Sequence, residues 1–302
     1  MKTFLASKDK FALLIMPGLF HELPSGHWLP LAPNTILTTQ LNLPDLHWKL
    51  WLGTILWEEI VEAGFYLIVK DPTATPSVQN HKNQSIQDQA VYWWHALKVA
   101  GSFKCDKPVI LTGTRAADGI RIESKSGYCR WYHQGDNRFI ALTTDHLASW
   151  RALRNANEQV RVDFRMRHYQ RIIFGLRNFV HAMELEMINW RLPALVRAIE
   201  AFVKPGKHDI GKIFARRTAF LTRDDNEFRN VSESECTDIY KLRCDYDHLS
   251  DMAMPTESEW QMIHTCENVA RRLYQRFLLN PSFQQQWSDD TSIDAFWTSH
   301  GM

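Results

Sequence analysis

The stretch SESECTDIYKLRCDYDHLSDM, Ser232 to Met252, decides how the C-terminal half of this chain is read. Ser232 followed by Glu235 is an S-x-x-E capping box, the signature of a helix start, and Ile239 and Leu242 then supply the apolar positions of that helix. Near its end stand Tyr240, Leu242, Arg243 and His248, with two aspartates between the arginine and the histidine. The spacing alone decides nothing, because a chain with 13 His meets such an Arg-to-His match about once by chance. The surrounding sequence has to give it meaning.

Downstream, Thr256 and Glu259 form a second capping box ahead of Trp260, Ile263, Leu273, Phe277 and Leu278. Upstream, Tyr169, Ile172, Ile173, Leu176, Phe179, Val180, Met183 and Met187 recur at steps of three and four, and from Asn157 onward predict one long amphipathic helix. A break is expected at Asn189 to Pro193, since proline suits only the first turn of a helix. Leu192, Leu195, Val196, Ile199, Phe202 and Val203 then predict another helix, stopped at KPGK by Pro205 and Gly206. Residues 151–302 are thus expected to be an antiparallel helical bundle.

Residues 1–150 read differently, as a mixed α/β domain. FALLIM, TILTTQLNL and FYLIVK have the branched and aromatic content of strands, while LHWKLWLGTILWEEIVEA has helical spacing. The polar stretch from Asp71 to Asp88 predicts a loop, AVYWWHALKVA a short helix, and PVILTGTRAADGIRIESKSG a hairpin turning at Ala117, Asp118 and Gly119. The expected fold class is α+β, an N-terminal mixed domain followed by an all-α bundle.

Composition sets the outer limits. With 302 residues, 45% hydrophobic and 23% charged, the chain is an ordinary globular one, long enough for two cores. Its 12 tryptophans point to large packed surfaces. Five cysteines, odd in number and without a CxxC pair, argue against a disulfide framework or a structural zinc site and suit a cytoplasmic location. The N-terminal apolar run is interrupted by Pro17 and lacks a small-x-small cleavage site, so it reads as a buried strand, and no apolar segment reaches the length of a membrane span. No glycine-rich phosphate loop is present, no cofactor is expected, and no metal site, since His181 with Glu184 lacks a third ligand and an HExxH pattern, and His21 with Glu22 is followed by Pro24, which spoils a helix.

Charge is uneven. Lys and Arg stand against Asp and Glu as 16 to 9 in residues 151–230 and as 5 to 12 in residues 231–302. Helices of these two segments can neutralise one another on packing, or the basic segment can form a groove for phosphates.

The order of these features resembles the Apea-like branch of the HEPN superfamily, named for higher eukaryote and prokaryote nucleotide-binding domains. The resemblance rests on three stretches: RLPALVRAIEAFV with Ala198, Ile199 and Glu200; IYKLRCDYDH with Tyr240, Leu242, Arg243 and His248; and ENVARRLYQRFLLNPSF with Arg271, Arg272 and Leu273. It covers about half the chain. Cys244 stands where the family carries a small or amide residue, and Leu249 where it carries glycine. The resemblance implies a homodimeric, metal-independent ribonuclease, often a toxin or antiviral defence effector, or else a catalytically silent dimerisation module that binds a protein partner. A sensing or regulatory role for residues 1–150 is only what the ribonuclease reading would imply.

The residue chemistry suits the first implication. Imidazole titrates near neutrality, which makes His248 the candidate for proton transfer at the RNA 2′-hydroxyl. Arg243 offers a permanently charged fork for phosphate oxygens, and Tyr240 a hydrogen bond or a stacking face. Five helical residues turn through roughly 500°, so Arg243 and His248 lie about 140° apart and need a distorted helix end or a second copy to act together. The competing reading pairs Arg243 with Asp247 at i,i+4 and leaves His248 as a helix cap. Cys244 four residues before His248 has the spacing of a thiol pair but lacks an orienting third group.

Overall fold

The computed structural model describes residues 4–41, 50, 52–71, 79–103, 108–116, 119–126, 140–165, 168–185, 187–223, 230–248 and 255–302. The chain divides into two compact units, Met1–Arg154 and Asn155–Met302. The fold is α+β: a sheet with helices in the first unit, helices alone among the described residues of the second.

Strand β1 (Lys10–Ile15) is buried at every position, and a strand with two apolar faces belongs in the middle of a sheet. It pairs antiparallel with β4 (Tyr66–Asp71) on one side and β5 (Val109–Arg115) on the other. With β2 (Trp28–Ala32), β3 (Thr35–Thr38) and β6 (Ile120–Ser126) the order is β2-β3-β4-β1-β5-β6. Phe11, Leu13 and Ile15 face a cluster completed by Leu56 and Ile60 of α1 (Thr54–Glu62). The long helix α2 (Gln79–Ala100) also packs on β1, β4 and β5. Both edges are guarded: β2 carries Pro30, and β6 alternates half-buried residues with exposed Arg121, Glu123 and Lys125. The first half of α3 (Thr144–Arg165) is tied to α2, where Trp150 Nε1 donates to the Trp93 carbonyl at 2.7 Å.

Several sequence expectations for this unit are corrected. The stretch expected as polar loop overlaps α2, which begins at Gln79; polar side chains along its first turns concealed it. The helix expected across LHWKLWLGTILWEEIVEA is interrupted at Gly53, whose φ of 84° is left-handed, so α1 starts only at Thr54. Its residues 46–49 and 51 lie outside the described residues, as do Ala117 and Asp118 of the expected hairpin turn. Strand β2 is additional to the strands read from the sequence.

In the second unit the expected long helix from Asn157 is two. After α3, Tyr169 adopts φ 58° and α4 (Gln170–Glu184) begins anew. The next break falls at Leu185–Met187 instead of Asn189–Pro193, and Pro193 lies inside α5 (Ile188–Val203), beyond its first turn. Arg191 Nε donates to the Leu185 carbonyl at 2.8 Å, giving the end of α4 a partner and moving the break forward. At the KPGK stop, Lys204 takes φ 42° and ends α5.

Helix α5 is the core of this unit. It packs on α4, on α6 (Ile210–Arg223), on α7 (Glu233–Asp247) and on α8 (Glu257–Leu279), and between Leu192 and Val203 only Arg197 and Glu200 escape full burial. Gly175 lets α4 approach closely, since a Cβ there would stand 2.2 Å from Tyr274 Oη and 2.4 Å from Ala201 Cβ. Beyond α8 come α9 (Pro281–Gln286) and α10 (Asp290–Ser299). Trp287 and Trp297 both donate Nε1–H to the Phe202 carbonyl, at 3.0 and 3.3 Å, satisfying an acceptor that the end of α5 leaves without a helical donor.

Candidate functional site

Helix α7 starts on the capping box expected from the sequence: Ser232 Oγ accepts the Glu235 amide at 3.1 Å, and Glu235 returns the bond to the Ser232 amide at 2.9 Å. Cys236, Ile239 and Leu242 are its buried residues. Tyr240, Arg243 and Asp247 follow one another at three and four residues, so they share an adjacent face. His248 is the C-cap, exposed, with its amide donating to the Cys244 carbonyl at 3.1 Å.

The structure brings Tyr240 and Arg243 together and leaves His248 apart. The Arg243 guanidinium lies 5.5 Å from the centre of the Tyr240 ring. That ring is packed on Phe214, with centroids 5.1 Å apart, and closes against Gly211, where a Cβ would be 3.0 Å away. Tyr240 is therefore half-buried, with α6 against its ring. Among the described residues the His248 side chain makes no hydrogen bond or ion pair, and Leu249 lies outside them.

Asp247 is the hub of the charged groups. Its Oδ2 is 3.0 Å from Arg243 Nε and its Oδ1 is 3.6 Å from Arg197 Nη2. The first contact is an ion pair without hydrogen-bond alignment, for Arg243 Nε is buried and has no hydrogen-bond partner. Glu200, one turn beyond Arg197, is also coupled to Arg243: burial pushes its carboxyl up, while Arg243 and Arg197 pull it back and Asp247 adds to the rise. Tyr240 is raised by burial and then by the negative charge of Glu200. Burial works against the charge on Arg243, but Cys244, Asp247, Tyr240 and Glu200 together raise its pKa, so it remains a cation. Three elements thus meet here: α7 gives Arg243 and Asp247, α5 gives Arg197 and Glu200, and Arg171 of α4 acts on Glu200 through its field.

Arg197 and Glu200 also line a cleft of about 600 Å³, whose other walls include Arg171, Phe174 and Asn178 of α4 and Asp289 and Asp290 before and at the start of α10. Sequence reasoning used Glu200 only as part of a family motif and missed Arg197, Arg171 and Phe174. Part of their signal was present: Arg197 and Glu200 are the two charged residues in the stretch from Pro193 to Val203, which is otherwise apolar all round.

Among the described residues, Cys236, Cys266 and His21 are packed into the fold. Cys236 is buried, and its thiol is pushed up to about 12; burial also holds that of Cys266 well above the ordinary value. Cys244 is half-buried on α7. His21 Nδ1 accepts the Leu23 amide at 3.3 Å and its ring packs on Phe65. Among the described residues no group of three His, Cys, Asp or Glu is placed to hold a metal ion, and no helix is long and apolar enough to cross a membrane. Comparisons of the chain with protein-family models, with curated proteins and with solved structures found no match.

Proposed function

We propose that the helical unit is a HEPN-type, metal-independent endoribonuclease acting as a cytoplasmic homodimer, and that the sheet-containing unit receives a protein partner or trigger. The observation that carries this reading is the end of α7. An exposed imidazole, His248, follows directly after Asp247, at which two guanidiniums, Arg243 and Arg197, converge. In the proposed reaction His248 takes the proton of an RNA 2′-hydroxyl, and the 2′-oxygen attacks the adjacent phosphorus. The bond to the 5′-oxygen breaks, and that oxygen gains a proton from His248 of a second copy. The products are a 2′,3′-cyclic phosphate and a 5′-hydroxyl. Arg243 stabilises the charge building on the phosphoryl oxygens, and for this it must exchange Asp247 for phosphate.

The test is incubation of the purified chain with single-stranded RNA, with and without EDTA, beside His248→Ala and Arg243→Ala. Cleavage that persists in EDTA, leaves cyclic phosphate ends and is lost in both variants supports the proposal. Cleavage that requires a metal, or that attacks DNA equally, refutes it.

The Arg243–Asp247 pair favours a second reading, a non-catalytic dimerisation or partner-binding module in which the arginine is a structural contact. Under it, the wild type and both variants leave RNA intact, and the dimer in sedimentation is unchanged by His248→Ala.

A further inference from the structure

We infer that the cleft between α4, α5 and the start of α10 is a subsite for one nucleotide of single-stranded RNA, with Phe174 as the platform on which its base stacks. This inference rests on RNA being the substrate of the helical unit. Phe174 is 51% exposed on the cleft wall, although it lies on a helix whose other aromatic residue, Phe179, is fully buried. An exposed aromatic ring beside guanidiniums is the combination that sequence-tolerant binding of single strands uses: the ring stacks a base and the cations follow the backbone.

The cations are in place. Arg177 holds its guanidinium 5.4 Å from the Phe174 ring centre and makes no ion pair among the described residues. Arg171 and Arg197 line the same cleft. Asn178, also on the cleft wall, donates Nδ2–H to the Phe174 backbone carbonyl at 2.9 Å, and its side-chain oxygen is an acceptor. The acidic groups of the wall are Glu200, Asp289 and Asp290: Asp290 accepts from Arg171 at 2.9 Å and lies 3.8 Å from Lys204, Asp289 accepts the Ser292 amide at 2.8 Å, and Glu200 lies in the field of Arg243 and Arg197. Continuity with the reaction site comes through α5, since Arg197 lines the cleft and also lies 3.6 Å from Asp247, the partner of Arg243. A base on Phe174 therefore belongs to a nucleotide close to the scissile phosphate. A volume of about 600 Å³ lies in the range of small-molecule sites and has room for one nucleotide.

The experiment measures fluorescence anisotropy of a labelled, mixed-sequence RNA strand of about 12 nucleotides, using the full chain carrying His248→Ala so that the probe stays intact. Phe174→Ala should weaken binding about 5- to 100-fold, Phe174→Trp should retain it, and Leu279→Ala, an exposed apolar residue outside the cleft, should leave it unchanged. Loss of binding in Phe174→Ala without any cleavage by the wild type would uphold the subsite and overturn the ribonuclease. Cleavage by the wild type with Phe174→Ala binding as tightly as its parent would overturn the subsite alone. Absence of RNA binding in every protein overturns both.

Discussion

Two arginine–carboxylate pairs, each four residues apart on a helix, sit in very different places in this molecule. In α8, Glu267 and Arg271 are 3% and 7% exposed. Their side chains are hydrogen-bonded, and Arg271 further contacts Met183 Sδ at 3.7 Å, Asn268 Oδ1 at 3.3 Å and the Phe179 ring at 5.7 Å. In α7, Arg243 and Asp247 keep 19% and 26% of their side chains exposed and lack an aligned hydrogen bond between them. The order of charges differs as well. Glutamate before arginine agrees with the helix dipole, whereas Asp247 places a negative charge at the negative end of α7. One pair is a clamp within the core. The other is a partly exposed contact without an aligned hydrogen bond.

The largest expected effect is at the clamp. Arg271→Ala leaves Glu267 buried without its partner and should cost about 3–5 kcal/mol in chemical denaturation followed by circular dichroism. A loss below about 1 kcal/mol, the value of an exposed pair, would erase the difference between the two sites.

Acid sharpens the same contrast. Burial opposes the charged form of Glu267, but Arg271, helped by Arg191 and His264, wins and holds its pKa below the ordinary value. A depressed carboxylate contributes stability above its unfolded pKa and loses it as pH falls through the folded value. Glu267→Gln should therefore flatten the fall in melting temperature below about pH 4.5. Glu200 has the opposite sign: burial raises its pKa, so its contribution is present below the ordinary value and disappears as pH rises. Glu200→Gln should make the chain relatively more stable at neutral pH than in acid. Parallel pH profiles for the two variants would show that these carboxylates have the same environment.

A smaller effect separates the two ends of α7. Its start is held by the reciprocal bonds of Ser232 and Glu235, so Ser232→Ala should cost about 1 kcal/mol. Its end is closed by the backbone amide of His248, and His248→Ala, which keeps that amide, should change stability by less than Ser232→Ala does. A larger loss at His248 would make it a packing residue and not a reactive one.

Much of this was legible in the sequence because it follows local rules. Both capping boxes, the KPGK stop and the central strand FALLIM depend on neighbours a few residues away. The spacing of Arg243 to Asp247 was equally visible, as was that of Glu267 to Arg271. What differs between them, burial, depends on which helices cover them, and no spacing within one helix contains that. The same limit hid the cleft: Phe174 and Arg197 lie on different helices and both line it where Gly175 lets α4 pack closely on α5. The misplaced break at Asn189 to Pro193 has a related cause, since a side chain from the next helix, Arg191, gives Leu185 its partner.

The finest test of the comparison is Asp247→Ala. Removing an exposed carboxylate from the unfavourable end of a helix should change stability by no more than about 1 kcal/mol in either direction, because the lost ion pair and the relieved dipole oppose one another. It should also free Arg243 and Arg197 from their shared counter-ion. If both then engage phosphate, RNA binding should tighten, and the slope of log affinity against log salt should steepen by roughly 0.7 for each added phosphate contact on a single strand. Asp247→Asn, which keeps the shape and removes the charge, should behave alike if charge is the cause. Unchanged binding and salt slope in both variants would mean that the arginines at the end of α7 do not meet RNA, and that the exposed pair is a structural contact after all.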